Sequence, residues 1–209
     1  MTTTPRIAKT APERRTEILD AAEKLFTTQG VEATSIEHIL NEVGIARGTL
    51  YYHFKSKHDI LRALVTRTTN RMISRAEAIA QQPAPAPQKF LAVMSAARAN
   101  EQELELAERL HTNGNAEFHV LSIVEAVTKF TPMLTEIVEQ GIAEGTFHTE
   151  HPREAVEILL TAAGMLLDGG IFIGQDAELP RRTAGLVHAA EILLGCEPGS
   201  FAPIIEANS

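Results

Sequence analysis

The feature that most constrains this 209-residue chain is a pair of short amphipathic helices joined by a glycine, at residues 34–58. The first helix has apolar residues at i, i+3, i+4 and i+7, which form one stripe: Ile36, Ile39, Leu40 and Val43. We expect a capping box of Thr34 and Glu37 to begin it. Gly44 ends it, because glycine enters the left-handed conformation without steric cost.

The second helix, from about Ala46, has a very different surface. It offers only Leu50 and Phe54, four residues apart, as apolar residues for burial. Its other face carries a guanidinium, a hydroxyl, two phenols and an imidazole. The side chains are those of Arg47, Thr49, Tyr51, Tyr52 and His53. Such a face is too rich in hydrogen-bonding groups for a core hairpin and indicates a helix-turn-helix directed at duplex DNA.

The run GIARGTLYYHFKSKHDIL resembles the DNA-binding head of TetR-type (TetR/AcrR) transcriptional regulators. That family usually shows a glycine, a small-residue turn, T-x-Y-x-H-F and a lysine. The resemblance is close over residues 13–64 and covers the remainder only in length and helical layout. Two departures stand out. Ala46 replaces a capping serine, at a cost of about 1 kcal/mol, and Leu40 and Val43 replace alanines.

The resemblance implies a division of labour on DNA. Base reading falls to four residues of the second helix, Arg47, Gly48, Thr49 and Tyr51, with the Arg47 guanidinium bridging O6 and N7 of guanine. The groups expected at phosphates, some of them at helix starts that favour anions, are Thr34, Ser35, Tyr52, His53 and Lys57. Core packing remains the alternative for both tyrosines, and a helix-end cap remains the alternative for His53.

The net charge of −8 divides unevenly along the chain. Residues 1–75 hold twelve Lys/Arg and eight Asp/Glu, a balance of +4, whereas residues 76–209 hold seven and nineteen, a balance of −12. A basic head on an acidic body attracts phosphates only where they must be bound.

Composition excludes several other classes of protein. There is no apolar run of eighteen residues and no secretory signal pattern, so we expect no membrane span. Cys196 is the only cysteine, which suits a reducing cytoplasm. His148 and His151 in HTEH precede Pro152 and are expected in a solvated loop rather than at a metal. No catalytic constellation or phosphate loop is present in the sequence, so neither an enzyme nor a cofactor is expected.

The whole chain reads as all-α with about nine helices. We expect an N-terminal three-helix helix-turn-helix head (residues 1–56) and a C-terminal helical effector-binding and dimerisation domain (residues 57–209). The first helix, at 12–29, begins at a capping box of Thr10 and Glu13. A fourth, at 57–81, leads to an extended PAPAP connector at 83–87. Further helices are predicted at 88–99, 101–112, 117–144, 153–173 and 180–194, with a kink or break at Pro132.

One head makes too few contacts for tight specific binding, which favours a homodimer on a palindromic site. By analogy with the family, the last two long helices of each subunit form a four-helix bundle. The predicted interface residues lie along one stripe of each helix: Leu160, Ala163, Gly164, Leu167, Val187 and Glu191. Packing inside one subunit is the alternative for each of them.

The remaining helices could enclose a pocket for a small, mostly apolar effector. Its predicted lining is Met94, Arg98, Leu110, His111, Phe118, Leu121, Val124 and Glu125, with ordinary core packing as the alternative. The leading interpretation is thus a repressor that such a ligand releases from its operator. A DNA-bound adaptor regulated by a protein partner is the second interpretation, and an enzyme that uses the acidic body is a distant third.

Overall fold

A computed structural model describes residues 9–96, 116–168 and 171–203, with side chains from residue 119 onwards in the second range. In these ranges the chain forms eight α-helices and one 3₁₀ turn at Asp176–Glu178, with no strand. The helices are α1 (Ala11–Gln29), α2 (Ile36–Val43), α3 (Arg47–His53), α4 (Lys57–Ala80), α5 (Ala86–Ala96), α6 (Ala116–Glu144), α7 (Pro152–Leu166) and α8 (Leu179–Leu194). The all-α prediction is confirmed. Arg98, Leu110 and His111, and the Phe118 side chain, lie outside the described residues.

Capping boxes begin α1 and α2. The capping box of Thr10 and Glu13 at α1 is confirmed, with the Thr10 N–H donating to Glu13 Oε2 at 2.7 Å. The capping box predicted at Thr34 is wrong. Ser35 caps α2 together with His38, whereas the buried Thr34 hydroxyl donates to the Gly30 carbonyl at 2.7 Å. Because Thr34 completes the turn after α1, its side chain is not available to cap α2.

The head is a hydrophobic cluster to which four helices contribute. Its buried members include Ile18 and Phe26 of α1, Ile39 of α2 and Leu50 of α3. The cluster continues into α4 as far as Val65. The predicted domain boundary after residue 56 therefore cuts through this cluster, and α4 is shared between head and body.

The body is a second cluster in which α6 packs against α4, α5 and α7, and α7 packs against α8. Three phenylalanines, Phe90, Phe147 and Phe201, meet at its far end with ring centroids 6.1–6.3 Å apart. Aromatic pairs at this separation add stability beyond the area that they bury. They attach the C-terminal segment to the bundle.

Two of the predicted helix bounds need correction, and the helix that contains Pro132 is continuous. Helix α5 begins at Ala86, inside the predicted connector, because Pro87 needs no N–H partner in a first turn and the Ala86 N–H donates to Glu144 Oε2 at 2.9 Å. Helix α6 runs without a break through Pro132, where packing of the buried Phe130 and Leu134 outweighs one lost hydrogen bond. Helix α7 ends at Leu166, well before residue 173.

Candidate nucleic-acid interface

Helix α3 buries one side and exposes the other, although not evenly. Leu50 and the following Phe54 lie in the head cluster, whereas Tyr51 is 44% exposed and Tyr52 is 79% exposed. The His53 ring, which is half-buried, meets the Tyr52 ring edge-on at 5.0 Å. Core packing of the two tyrosines is therefore excluded in this structure.

The turn between α2 and α3 sets the direction of this exposed face. Gly44 adopts the left-handed conformation (φ 70°, ψ 42°), and its N–H and that of Ile45 both donate to the Leu40 carbonyl. Ala46 supplies no side-chain cap to α3, as the sequence predicts. Its carbonyl accepts from the Thr49 N–H at 3.0 Å, which closes the first turn by backbone alone.

Arg47, the first residue of α3, is bound by a carboxylate from the neighbouring helix. Its Nη2 donates to Oε1 of Glu37, in the first turn of α2, and both side chains are more than half exposed. Beside it, Gly48 faces open space, since a Cβ added there would have no neighbour within 4 Å. Nothing in the described part of the chain thus limits close approach to α3 at this point.

The predicted phosphate-binding groups are not equally accessible. The Thr34 prediction is wrong because that side chain is buried. The Ser35 hydroxyl, at the surface, accepts the His38 N–H at 3.2 Å. The Lys57 ammonium donates to the Val31 carbonyl at 2.8 Å, which commits at least one of its donors to the head itself.

Sequence reasoning missed one exposed cation at this surface, Lys55. It follows the buried Phe54 in the turn between α3 and α4, where its N–H donates to Asp59 Oδ2 at 3.0 Å. The sequence alone could have indicated Lys55, because it directly follows Phe54, the second apolar residue of the pair formed with Leu50. Elsewhere in the head, by contrast, Lys9 pairs with Glu17 and lowers the pKa of that carboxyl, and Lys24 pairs with Glu42.

The four predicted effector-pocket residues whose side chains are described, Met94, Leu121, Val124 and Glu125, have different neighbours. Leu121 packs against the head cluster, and Val124 is 57% exposed. Glu125 pairs with Lys129 at 3.0 Å, and Met94 packs against the body core. The pocket lining as a whole, half of which lies outside the described residues, stays a prediction.

Several polar groups do lie together elsewhere in the body. The buried His119 of α6 has its Nδ1 2.7 Å from an oxygen of Asp168, just after α7. Arg182 of α8 donates to the Leu166 carbonyl at 3.2 Å and stacks on the Phe172 ring at 4.1 Å. These groups connect the start of α6 with the end of α7 and the start of α8.

A cleft of about 480 Å³ lies at the opposite end of the body, between the start of α5 and the C-terminal loop. Its lining includes His148 and Cys196. Burial raises the pKa of the Cys196 thiol to about 11, so the thiol stays protonated at neutral pH. No three His, Cys, Asp or Glu side chains come together as a metal site in the described part of the chain.

The predicted dimer residues mostly face the interior of their own subunit. Leu160 and Glu191 are buried there, so the predictions for both are wrong. The Glu191 carboxylate accepts the N–H groups of Gly199 (2.9 Å) and Phe201 (3.0 Å), which lowers its pKa. Gly164 faces Ile123, and Val187 packs against the body core, while Ala163 and Leu167 are half-buried.

A different face of α7 and α8 carries the exposed apolar side chains. Ile158 and Met165 of α7 are 53% and 38% exposed, and Ile192 of α8 is 66% exposed. Both helices are apolar on more than one side, so periodicity alone does not say which of their faces is buried inside the subunit. Across the residues described, no helix is both long and apolar enough to cross a membrane.

Comparison with known proteins identifies relatives of the head and of the body separately. The family described as bacterial regulatory proteins, tetR family, matches residues 18–64. The family described as tetracyclin repressor-like, C-terminal domain, matches residues 97–186. Together the two matches cover most of the chain, with the first ending in α4, where the head cluster ends.

Two curated relatives illustrate how far the similarity extends. An HTH-type transcriptional regulator of Staphylococcus aureus (strain bovine RF122 / ET3-1) is 43% identical over 67 residues, or 32% of this chain and 36% of that protein. The HTH-type transcriptional repressor KstR2 of Rhodococcus jostii (strain RHA1) is 27% identical over 143 residues, or 66% of this chain and 69% of that protein. The chain thus spans only about a third of the first relative. Both names are those of regulators rather than enzymes, in agreement with the sequence-based expectation.

Solved structures share the whole fold. A TetR/AcrR-family regulator of Thermobifida fusca YX-ER1 is 26% identical, with a TM-score of 0.60 over 87% of this chain and 97% of that one. RolR in complex with resorcinol is 14% identical, with a TM-score of 0.67 over 95% of this chain and 94% of that one. Head, shared α4 and helical body all find their counterparts, and the chain belongs to the TetR family of bacterial transcriptional regulators.

Proposed function

We propose that this protein is a sequence-specific DNA-binding repressor that inserts α3 into the major groove. One observation carries the proposal: α3 buries Leu50 and leaves Arg47, Tyr51 and Tyr52 on the surface. Exposed aromatic rings have an unfavourable contact with water, and a helix of this width fits the major groove. The positive balance of residues 1–75 adds attraction to phosphates at the same end of the molecule.

Within this proposal, Arg47, Gly48, Thr49 and Tyr51 read bases. Arg47 supplies the guanidinium that distinguishes guanine, and the open surface at Gly48 lets backbone approach the base edges. Phosphates are held on both sides of α3 by a second set: Ser35, Tyr52, His53, Lys55 and Lys57. These contacts set the orientation of the head without reading sequence.

We further propose that two copies pair through α7 and α8 and bind a palindromic operator in the cytoplasm. The interface consists of the exposed Ile158, Met165 and Ile192, with Gly185 and His188 between them on α8. Burial of such aliphatic side chains against a second copy removes apolar surface from water. It also places two heads on one face of DNA, as a two-fold site requires.

The regulating signal is proposed to be a small, mostly apolar molecule bound in the body. The solved structure of RolR is a complex with the ligand resorcinol, so a protein of similar fold binds a small molecule. Here Leu121 of α6 packs against the head cluster, so a ligand that displaces α6 would also move the head. Preference of the ligand for one head position would lower operator affinity by population shift.

A protein partner is the second candidate for the signal. Val120 and Val124 of α6 lie four residues apart and are both more than half exposed. Such an apolar strip is a usual feature of protein docking surfaces.

Selection of bound sequences from a random duplex pool, at physiological salt, tests the DNA-binding proposal directly. We expect enrichment of one palindrome whose half-sites lie about one helical turn apart, or a multiple of it. Recovery of an unenriched pool would contradict sequence-specific binding. Enrichment of a single half-site would support base reading by the head and contradict the proposed dimer.

A further inference from the structure

The ion pair between Arg47 and Glu37 crosses from the recognition helix to the helix before it. Glu37 lies in the first turn of α2 and Arg47 at the first position of α3. Both side chains lie on the exposed side of the head, so the guanidinium is already held at the surface that α3 offers to DNA. The pair forms within the protein alone.

The geometry leaves most of the guanidinium available. Arginine has five N–H donors, and the contact with Glu37 uses Nη2. Nη1 and Nε, together with the second hydrogen of Nη2, can still form the two-pronged contact with O6 and N7 of guanine. Glu37 therefore does not need to release Arg47 before a base is read.

We propose that Glu37 is a positioning residue that sets the base selectivity of Arg47; this inference rests on the proposed DNA-binding function. A long side chain that is already held loses less freedom when it binds a base than a free one does. The carboxylate also repels phosphates, but this repulsion weakens binding to every duplex alike. Positioning of Arg47 is therefore the effect that widens the gap between specific and random DNA.

The chain offers a matched control on the same helix. Glu42, at the other end of α2, pairs with Lys24 of α1 at 2.7 Å and does not contact α3. Glu42→Gln removes the same charge as Glu37→Gln, from a neighbouring place on the head. Loss of the negative charge raises the affinity for every duplex by a similar factor, and this happens in both variants. Loss of the contact that positions Arg47 happens only in Glu37→Gln, and it lowers the preference for the operator.

The experiment measures binding of the full chain to the selected operator and to the same operator with one base pair replaced in both half-sites. The replaced pair is the one at which Arg47→Ala loses its preference. We expect Glu37→Gln to lower the affinity ratio of the two duplexes by about threefold to tenfold per half-site, the range for ordering one long side chain. Glu42→Gln should leave that ratio unchanged, and so should Glu37→Gln when it is added to Arg47→Ala.

Each outcome decides between the two ideas. Equal ratios for Glu37→Gln, Glu42→Gln and the unsubstituted protein would overturn the positioning role and leave the DNA-binding proposal intact. A changed ratio that persists in the Arg47→Ala background would also overturn it, because Glu37 would then act independently of Arg47. An unsubstituted protein that shows no preference among duplexes would overturn both ideas.

Discussion

Two surfaces of this molecule leave large side chains exposed to water, and their chemistry differs. On α3 the exposed groups combine an apolar body with a polar end, as in Tyr51 and Tyr52. On α7 and α8 the large exposed apolar side chains carry no polar end, as in Ile158 and Ile192. Amphipathic side chains suit a wet, charged groove, whereas aliphatic ones suit a dry contact with another protein surface. The difference favours the proposed DNA contact at the head and the proposed second copy at the body.

The largest effect is expected from Ile192→Glu. If the aliphatic face pairs with itself, this change buries a carboxylate without a partner, at a cost of several kcal/mol per dimer. Sedimentation equilibrium should then show a monomer at concentrations where the unsubstituted protein is a dimer. Val124→Glu is the matched control, because Val124 is similarly exposed and lies on α6. If both variants were monomers, or if both remained dimers, the α7 and α8 face would not be the specific site of dimerisation.

The next largest effect tests the other surface. Arg47→Ala should reduce operator affinity by roughly 1–3 kcal/mol per half-site and relax the preference at one base pair. Lys55→Ala should instead weaken binding to all sequences. The slope of log affinity against log salt concentration should become shallower by about two for a dimer, since each subunit loses one phosphate contact. Titrations on specific and random duplexes at several salt concentrations separate these effects. Identical losses on both duplexes for Arg47→Ala would contradict its role in base reading.

The same contrast explains what could be predicted from sequence. The head is specified locally: Gly44 stops one helix, and only Leu50 and Phe54 of the next segment are apolar. The remaining side chains of α3 therefore have to face outward. The shifted cap from Thr34 to Ser35 could not be predicted, because it depends on a hydrogen bond to Gly30 across the preceding turn.

The body is specified by packing between distant segments, so its details could not be predicted in the same way. Helix α8 is apolar on more than one side, and its sequence does not say which side faces α7. The buried Glu191 looks polar in sequence, but the C-terminal loop supplies two N–H partners for its carboxylate. Its neighbour Ile192, apolar in sequence, faces solvent.

Glu191→Ala gives a smaller effect and sharpens this distinction between neighbours. It leaves the Gly199 and Phe201 N–H groups without their acceptor, which should cost about 1–3 kcal/mol of unfolding free energy. Urea denaturation measures the loss, and Glu197→Ala, at an exposed position, is the control. Glu191→Ala should not change the dissociation constant of the dimer. A dissociated but fully stable Glu191→Ala variant would show that Glu191 contacts the second copy after all.

The contribution of Glu191 should also depend on pH. Its two backbone hydrogen bonds hold the pKa of the folded carboxyl below the ordinary value of 4.5. A group with a lowered folded-state pKa stabilises the fold above its ordinary pKa and loses that contribution as the pH falls through the folded value. The difference in unfolding free energy between the unsubstituted protein and Glu191→Ala should therefore be full at pH 7 and shrink below about pH 4.5. A difference that is constant from pH 7 to pH 3 would contradict this origin.

The smallest effects come from two glycines, one on each surface. A Cβ added at Gly48 or at Gly185 meets nothing within 4 Å in the single subunit, so alanine at either position should stabilise the helix by up to about 0.5–1 kcal/mol. The added methyl group should weaken only the complex that the surface forms, with DNA at Gly48 and with a second copy at Gly185. Gly48→Ala should weaken operator binding and leave dimerisation unchanged, because its methyl group meets base edges. Gly185→Ala should weaken dimerisation instead, and DNA affinity only through it. If the two effects were exchanged, the assignment of the two surfaces would have to be reversed.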